Sequence, residues 1–316
     1  VIEQVLNGLQ SGIMLFLMAA GLTLIFGVMG LIDLAHGSLY MLGAFIAYSV
    51  ATRYGFWAAI PASIIAVGVI GWVMERTVLR HLYSAPELFQ LVATFGLVLI
   101  IHDIALWVCG PQDLLGPRAP GLEGVVRIFD EPVPLYDPFL IAIGITVLLA
   151  IWWTFAKTRF GILVRAATED REMLQALGVR PDRLFQITFF VGDALAGLGG
   201  ALEVPRQPVS LLMDLNVIAW AFVVVVIGGL GSVFGAFLAA VLIAQVNAFG
   251  ILVFPEITLF AAFAVMAIVL IIRPQGFFGR AVRSQSDNFE IQPPATFGNV
   301  GKPASIALMI MALGLA

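Results

Sequence analysis

The stretch Gln4–Ile32, QVLNGLQSGIMLFLMAAGLTLIFGVMGLI, decides the fold: it runs 29 residues between Glu3 and Asp33 with no ionisable side chain. A helix needs about 20 apolar residues to cross the hydrocarbon core of a bilayer. This run therefore crosses with some tilt. It lacks a basic leading region and is too long for a signal peptide, so it reads as a lasting span.

Further apolar stretches follow at about 37–52, 57–74, 91–109, 138–156, 185–202, 217–230, 233–253 and 257–272. Of the 316 residues, 61% are hydrophobic and 11% charged. A soluble domain carries roughly 25% charged residues, so lipid has to solvate the excess apolar surface. The expected fold class is all-α: a polytopic membrane protein of about eight or nine transmembrane helices, several broken by glycine or proline. One cysteine, Cys109, excludes an internal disulfide framework and a cysteine-based zinc site. His36, His81 and His102 are far apart in the chain, and no basic block suits nucleic acid.

The polar segments set the orientation. Arg76 and Arg80, then Lys157, Arg159, Arg165, Arg171, Arg180 and Arg183, then Arg273, Arg280 and Arg283 make 11 of the 16 basic residues. The positive-inside rule puts these three segments in the cytoplasm. Nine crossings with the N-terminus outside satisfy that parity; eight would need a re-entrant or merged segment. The loop from Gly110 to Asp137, with five prolines, is expected outside, since irregular backbone is not tolerated in lipid. Residues 1–283 form the expected membrane domain. Residues 284–316 read as a polar linker leading into the start of a further apolar segment.

Gly37-Ser38-Leu39-Tyr40 with Gly43-Ala44-Phe45 echoes Gly231-Ser232-Val233-Phe234 with Gly235-Ala236-Phe237. This is either a trace of the paired repeats common in transporters or the plain result of small residues letting helices approach. In the basic segment Lys157–Arg183, Thr168 can cap a short helix whose first turn carries Glu169 and Asp170. Met173, Leu174 and Leu177 would form its apolar face, Gly178 its end and Pro181 the start of the next helix. Such a helix is either a connector on the headgroups or a docking element for a partner.

Taken in order, several stretches resemble the permease subunits of ATP-binding-cassette importers for branched-chain amino acids, in particular the smaller of their two permease types. They are Asn7-Gly8-Leu9, Gly21 to Gly27, Ile32-Asp33-Leu34-Ala35-His36-Gly37, Gly161 to Ala167 with Ala176-Leu177-Gly178, Leu195-Ala196-Gly197 with Gly199-Gly200, Gly228 to Ser232, and Arg273-Pro274-Gln275-Gly276. The resemblance implies that Arg165 to Gly178, with Arg165, Glu169, Asp170, Leu177 and Gly178 as its main residues, couples the chain to ATPase subunits. It further implies a multi-pass protein of the inner membrane with two ATPases, a second homologous permease (separate or fused) and a periplasmic solute-binding protein. Asp33 stands where the family usually has asparagine, and Asp193 where small residues are usual, which leaves the solute open. Urea, short amides and aromatic or carboxylic acids remain alternatives to amino acids.

The chain lacks a G-x-x-x-x-G-K-[ST] sequence, so ATP and magnesium are expected on partner subunits and no cofactor on this chain. Ionisable side chains inside apolar runs are costly in lipid and usually have a reason. Asp33, His36, Ser38 and Asp193, with the half-helix start at Gly231-Ser232, are therefore candidates for the translocation path. A structural role, with Asp33 and His36 capping a helix and Asp193 pairing with a neighbouring span, competes with that assignment. An ion-coupled secondary transporter or channel would use Asp33, His36 and Asp193 as coupling groups. His102-Asp103 is a weaker candidate of the same kind. No residue set supports an intramembrane enzyme.

Overall fold

A computed structural model of the chain describes residues 2–83, 85–128, 131–169, 171–253 and 258–279. Residues 284–316, expected as a polar linker and the start of a further apolar segment, lie outside the described residues. Eleven α-helices carry the described chain: α1 (Ile2–Met29), α2 (Ala35–Tyr54), α3 (Phe56–Thr77), α4 (Glu87–Cys109), α5 (Tyr136–Lys157), α6 (Arg159–Glu169), α7 (Arg171–Ala176), α8 (Pro181–Glu203), α9 (Met213–Gly228), α10 (Val233–Val253) and α11 (Thr258–Ile272). Six of them, α1, α3, α4, α5, α8 and α10, are long and apolar enough to cross a membrane; α9 and α11 are shorter apolar helices. The chain is thus an all-α polytopic membrane protein. Its apolar runs and its helices coincide to within a few residues, because one bilayer thickness sets both lengths.

The helices alternate between two faces. At one face Val28, at the end of α1, packs with Val164, Ala167, Leu174, Leu184 and Phe185, and Arg80 pairs with Asp182 at 3.0 Å. The turn at 273–279 closes on the same side, where Phe277 N donates to the carbonyl of Ile227 and Phe278 N to that of Gly228, at 2.8 and 3.1 Å. The described parts of the three basic segments therefore share one face, which the charge rule assigns to the cytoplasm. At the other face Ile13, Met14 and Leu17 of α1 pack with Phe56, Tyr136, Leu198 and Leu202.

Two helices form the centre: α1 and α8 are the most deeply buried of the long spans. They run antiparallel, since the end of α1 meets the start of α8 at the basic face and the reverse holds outside. The packing around them is reciprocal. Helix α1 lies along α10, with Phe16 edge-on to Phe237 at 5.3 Å, and α8 lies along α3. Likewise α2 packs on α8 and on α3, while α9 packs on α1 and on α10. The helices α1–α4 and α8–α11 thus behave as two inverted units, the arrangement that builds many transporters. The short echo noted above falls on α2 and α10, which are not counterparts in this scheme, so it does not mark the repeat. Ser63 of α3 fastens three core helices at one point: its hydroxyl lies 2.9 Å from the carbonyls of both Gly43 and Gly197.

Each unit contains a break. Residues 30–34 separate α1 from α2, and residues 204–212 separate α8 from α9. The outer loop holds a two-stranded antiparallel hairpin, β1 (Val125–Ile128) with β2 (Glu131–Pro134). It also forms a bridge to the second break, in which Leu114 and Val209 exchange two backbone hydrogen bonds of 2.9 Å.

Candidate functional site

The breaks bring the starts of α2 and α9 together. Helix α2 begins at Ala35 and α9 at Met213; Gly37 lies against the carbonyl of Asp214. Ser38 donates a long hydrogen bond, 3.4 Å, to Asp214 Oδ2. The other Asp214 oxygen accepts the backbone N–H of Leu215 at 2.7 Å. His102 of α4 places its Nδ1 3.6 Å from Asp214 Oδ2, with the Asp214 side chain buried and that of His102 30% exposed. Two helix N-termini, each with the positive end of its dipole, therefore converge on one carboxylate, one hydroxyl and one imidazole. The groups offered there are a carboxylate, which suits a cation, and helix N-terminal N–H groups, which suit an anion.

A second cluster lies on the other side of the α2 start. Asp33, His36 and Asp193 are all fully buried, and one ligand atom from each falls within 4.8 Å of the others. His36 Nδ1 is 2.9 Å from Asp193 Oδ1; since a carboxylate accepts, the Nδ1 proton is the one donated. Asp33 Oδ1 accepts from Ala35 N at 3.0 Å, which caps the first turn of α2. Among the described residues Asp33 Oδ2 and Asp193 Oδ2 have no hydrogen-bond partner, and His36 Nε2 faces the α1 main chain around Met18 without a well-aligned bond. The imidazole and two carboxylates are a donor set that suits a divalent cation or a shared proton. The space is made by missing side chains: a Cβ on Gly71 of α3 would stand 1.8 Å from Asp193 Oδ2, and one on Gly21 of α1 2.7 Å from His36 Nε2. The cluster is sealed within the protomer and clamps the first break to α8.

The sequence candidates are therefore divided. Asp33, His36 and Asp193 come together; Ser38 joins Asp214 instead. Gly231 and Ser232 sit apart, at the basic face. Gly231 touches Gly27 at the end of α1, and Ser232 Oγ accepts from Gly235 N at 3.1 Å as the cap of α10. Asp214 was missed because it stands as a single carboxylate between two apolar runs, and its partner Ser38 is 176 residues away.

On the basic face, α6 and α7 build the connector. Thr168 does not cap α7: α6 continues to Glu169, and the Thr168 hydroxyl donates to the carbonyl of Arg165 at 2.7 Å. The Arg165 guanidinium is turned back to the carbonyl of Phe155 at the end of α5, so it fixes the connector to the bundle. Asp170 and the Glu169 side chain lie outside the described residues. Gly178 ends α7 as expected, with φ +81°. Val179 N donates to the carbonyl of Leu174 at 3.2 Å and Gly178 N to that of Gln175 at 2.9 Å, the paired bonds of a Schellman motif. Leu174 is buried against the bundle, whereas Met173 and Leu177 are 65% and 75% exposed. The expected single apolar face is thus split, one residue inward and two outward.

Inverted units, two breaks meeting inside the bundle and an exposed connector on the basic face define a multi-pass membrane transport protein. The sequence comparisons make this specific: the family described as "Branched-chain amino acid transport system / permease component" matches residues 4–272, and the chain belongs to it. The chain is similar to the high-affinity branched-chain amino acid transport system permease protein BraD of Pseudomonas aeruginosa, 29% identical with 88% of this chain and 96% of that protein covered. It is 25% identical to the corresponding permease protein LivH of Escherichia coli, at the same coverage. It is 27% identical to that organism's LivM over 82% of this chain and 66% of LivM. No solved structure matches the chain. These relatives are permease subunits rather than enzymes, and the chain is accordingly a multi-pass permease of the inner membrane.

Proposed function

We propose that this permease moves branched-chain amino acids inward as part of an ATP-driven importer with two ATPase subunits, a second permease and a periplasmic solute-binding protein. The observation that carries the reading is the family match across residues 4–272, nearly the whole described chain, with relatives named for that transport. The solute reaches Asp214, Ser38 and His102 from the outside, and its apolar side chain is accommodated by the aliphatic surface around the starts of α2 and α9. ATP and magnesium are held by the ATPase partners, which press on the exposed Met173–Leu177 turn before Gly178. Helix α9 is the moving part, because the break that leads into it is joined to the outer loop through Leu114–Val209 and its own end to the inner turn through Ile227 and Gly228. Asp33, His36 and Asp193 brace the α1–α2 break against α8 rather than line the path.

The test is uptake into proteoliposomes carrying the full complex, with a panel of labelled leucine, isoleucine, valine, urea and aromatic acids, with and without ATP on the ATPase side. ATP-dependent uptake of the branched-chain amino acids is expected. ATP-dependent uptake of another solute replaces the substrate and keeps the mechanism. Uptake that follows an ion gradient and ignores ATP overturns the reading in favour of ion coupling at the Asp33–His36–Asp193 cluster.

A further inference from the structure

The cluster at the first break holds more negative charge than its neighbours balance. Asp33, His36 and Asp193 are fully buried, and a buried charge persists only when it is paired or ligates a metal. Among the described residues, the helices around them bring no basic side chain close. Helix α1 has none, and Arg53 of α2 stands in the last turn, at the opposite end from His36. On α8, Arg183 precedes Asp193 by ten residues, about 15 Å along the axis. Arg76 of α3 is exposed and lies over the ring of Trp72.

Protons alone do not settle the cluster. A proton on Asp33 Oδ2 or Asp193 Oδ2 would make an O–H donor without an acceptor, since neither oxygen has a hydrogen-bond partner among the described residues. The imidazole raises a second difficulty. With its Nδ1 proton given to Asp193 Oδ1, Nε2 is a bare lone pair facing the α1 main chain around Met18. Amides inside a helix are spent on its own carbonyls, so the main chain there offers carbonyl oxygen, and lone pairs meet. An imidazolium cures that contact but balances one carboxylate and leaves the other.

We propose that Asp33, His36 and Asp193 bind one first-row divalent cation, zinc or manganese, which locks the α1–α2 break to α8. One imidazole and two carboxylates, without a thiolate, are donors that such ions accept. The cation takes the place of the proton between Nδ1 and Asp193 Oδ1 and balances both carboxylates. The imidazole proton then sits on Nε2 and points at the Met18 main chain, the kind of outer carbonyl partner that a ligating histidine normally has. A nitrogen and an oxygen 2.9 Å apart can both reach an ion at about 2.1 Å. The three donors lie within 4.8 Å of one another, so Asp33 closes on the ion by a shift of about 1 Å. A bidentate carboxylate supplies the remaining donor. The inference goes beyond the importer reading and holds for any solute.

Metal analysis of the intact importer tests it. The complex is purified through a tag without histidine from cells grown with added zinc or manganese, then washed with EDTA. Metal per permease chain is counted by inductively coupled plasma mass spectrometry. Wild type is expected to keep one ion per chain through the wash, because the site is closed to solvent, and to release it on unfolding. Asp33→Asn and Asp193→Asn are each expected to lower the bound metal about tenfold or more, since even an outer partner of a ligand is worth roughly 10–100-fold. Asp214→Asn, outside the cluster, is expected to keep it. If an aspartate variant fails to accumulate, X-ray absorption on wild type decides: nitrogen and oxygen neighbours at about 2.0–2.2 Å with imidazole scattering support the site, and a sulfur shell overturns it. Wild type free of both metals, or equal metal in Asp193→Asn, also overturns it and leaves the cluster to protons. The count needs no transport, so a complex that holds the ion yet imports no branched-chain amino acid upholds the site and removes the substrate assignment.

Discussion

The two breaks in the bundle are built from the same materials and put to opposite uses. Around residues 30–34, Asp33, His36 and Asp193 are shut away from every surface, held by a bond of 2.9 Å between α2 and α8. Around residues 204–212, Asp214 is met by a longer contact of 3.4 Å from Ser38 and by a partly exposed histidine. A buried carboxylate bonded at 2.9 Å across two helices costs too much to uncover during a transport cycle, whereas one met by a 3.4 Å hydroxyl contact beside a partly exposed imidazole can exchange those partners for a solute. The lesson is that intramembrane charge by itself does not mark a path; its access does.

The sharpest way to break this comparison is to remove one partner of the sealed cluster. His36→Ala leaves two buried carboxylates without their imidazole, and breaking such a pair is expected to cost about 3–5 kcal/mol. Thermal unfolding in detergent should show a large loss or failure to accumulate, and Asp33→Asn should leave the solute profile unaltered. A shift in solute preference at full stability would move this cluster into the path.

Much of this was legible in the sequence, and the reasons divide by physics. Span positions follow from bilayer thickness and apolar runs, so α3, α5 and α10 were located to within a few residues. Gly178 was legible because a positive φ at a helix end selects glycine. Pairings were not: His36 and Asp193 are 157 residues apart, and only the packing of α2 on α8 joins them. Thr168 misled because its residue type suits a cap, while the alanines before it let α6 run on through it. The hairpin at 125–134 was hidden by its prolines and four-residue strands, too short for a clear alternation.

The coupling turn and the outer clasp give intermediate effects. Gly178→Ala forces a Cβ into a left-handed conformation and is expected to cost about 1–2 kcal/mol. Its larger consequence should be less solute moved per ATP hydrolysed, measured side by side in proteoliposomes, since α7 then ends in the wrong direction for Leu177. Equal coupling ratios would make α7 a mere connector. At the other face, Leu114→Pro deletes the N–H that donates to Val209, a loss of about 1 kcal/mol. It should raise ATP hydrolysis in the absence of the solute-binding protein, because the second break keeps only one of its two bonds to the outer loop. A basal rate equal to wild type would show that the clasp does not restrain α9.

The smallest effect on stability is expected at Asp214. Asp214→Asn keeps the shape of the side chain and an oxygen for the Leu215 N–H, and the Ser38 hydroxyl, which can accept as well as donate, can pair with the new amide N–H, so unfolding should shift by less than about 1 kcal/mol. Uptake, by contrast, should fall roughly tenfold or more, because a charge-assisted bond to a solute ammonium is worth about 1.5–3 kcal/mol. The pair of measurements is what matters: His36→Ala should damage the fold and Asp214→Asn should damage transport. If Asp214→Asn instead unfolds the protein and spares uptake of the survivors, the roles of the two breaks are reversed, and the path has to be sought along α1 and α8.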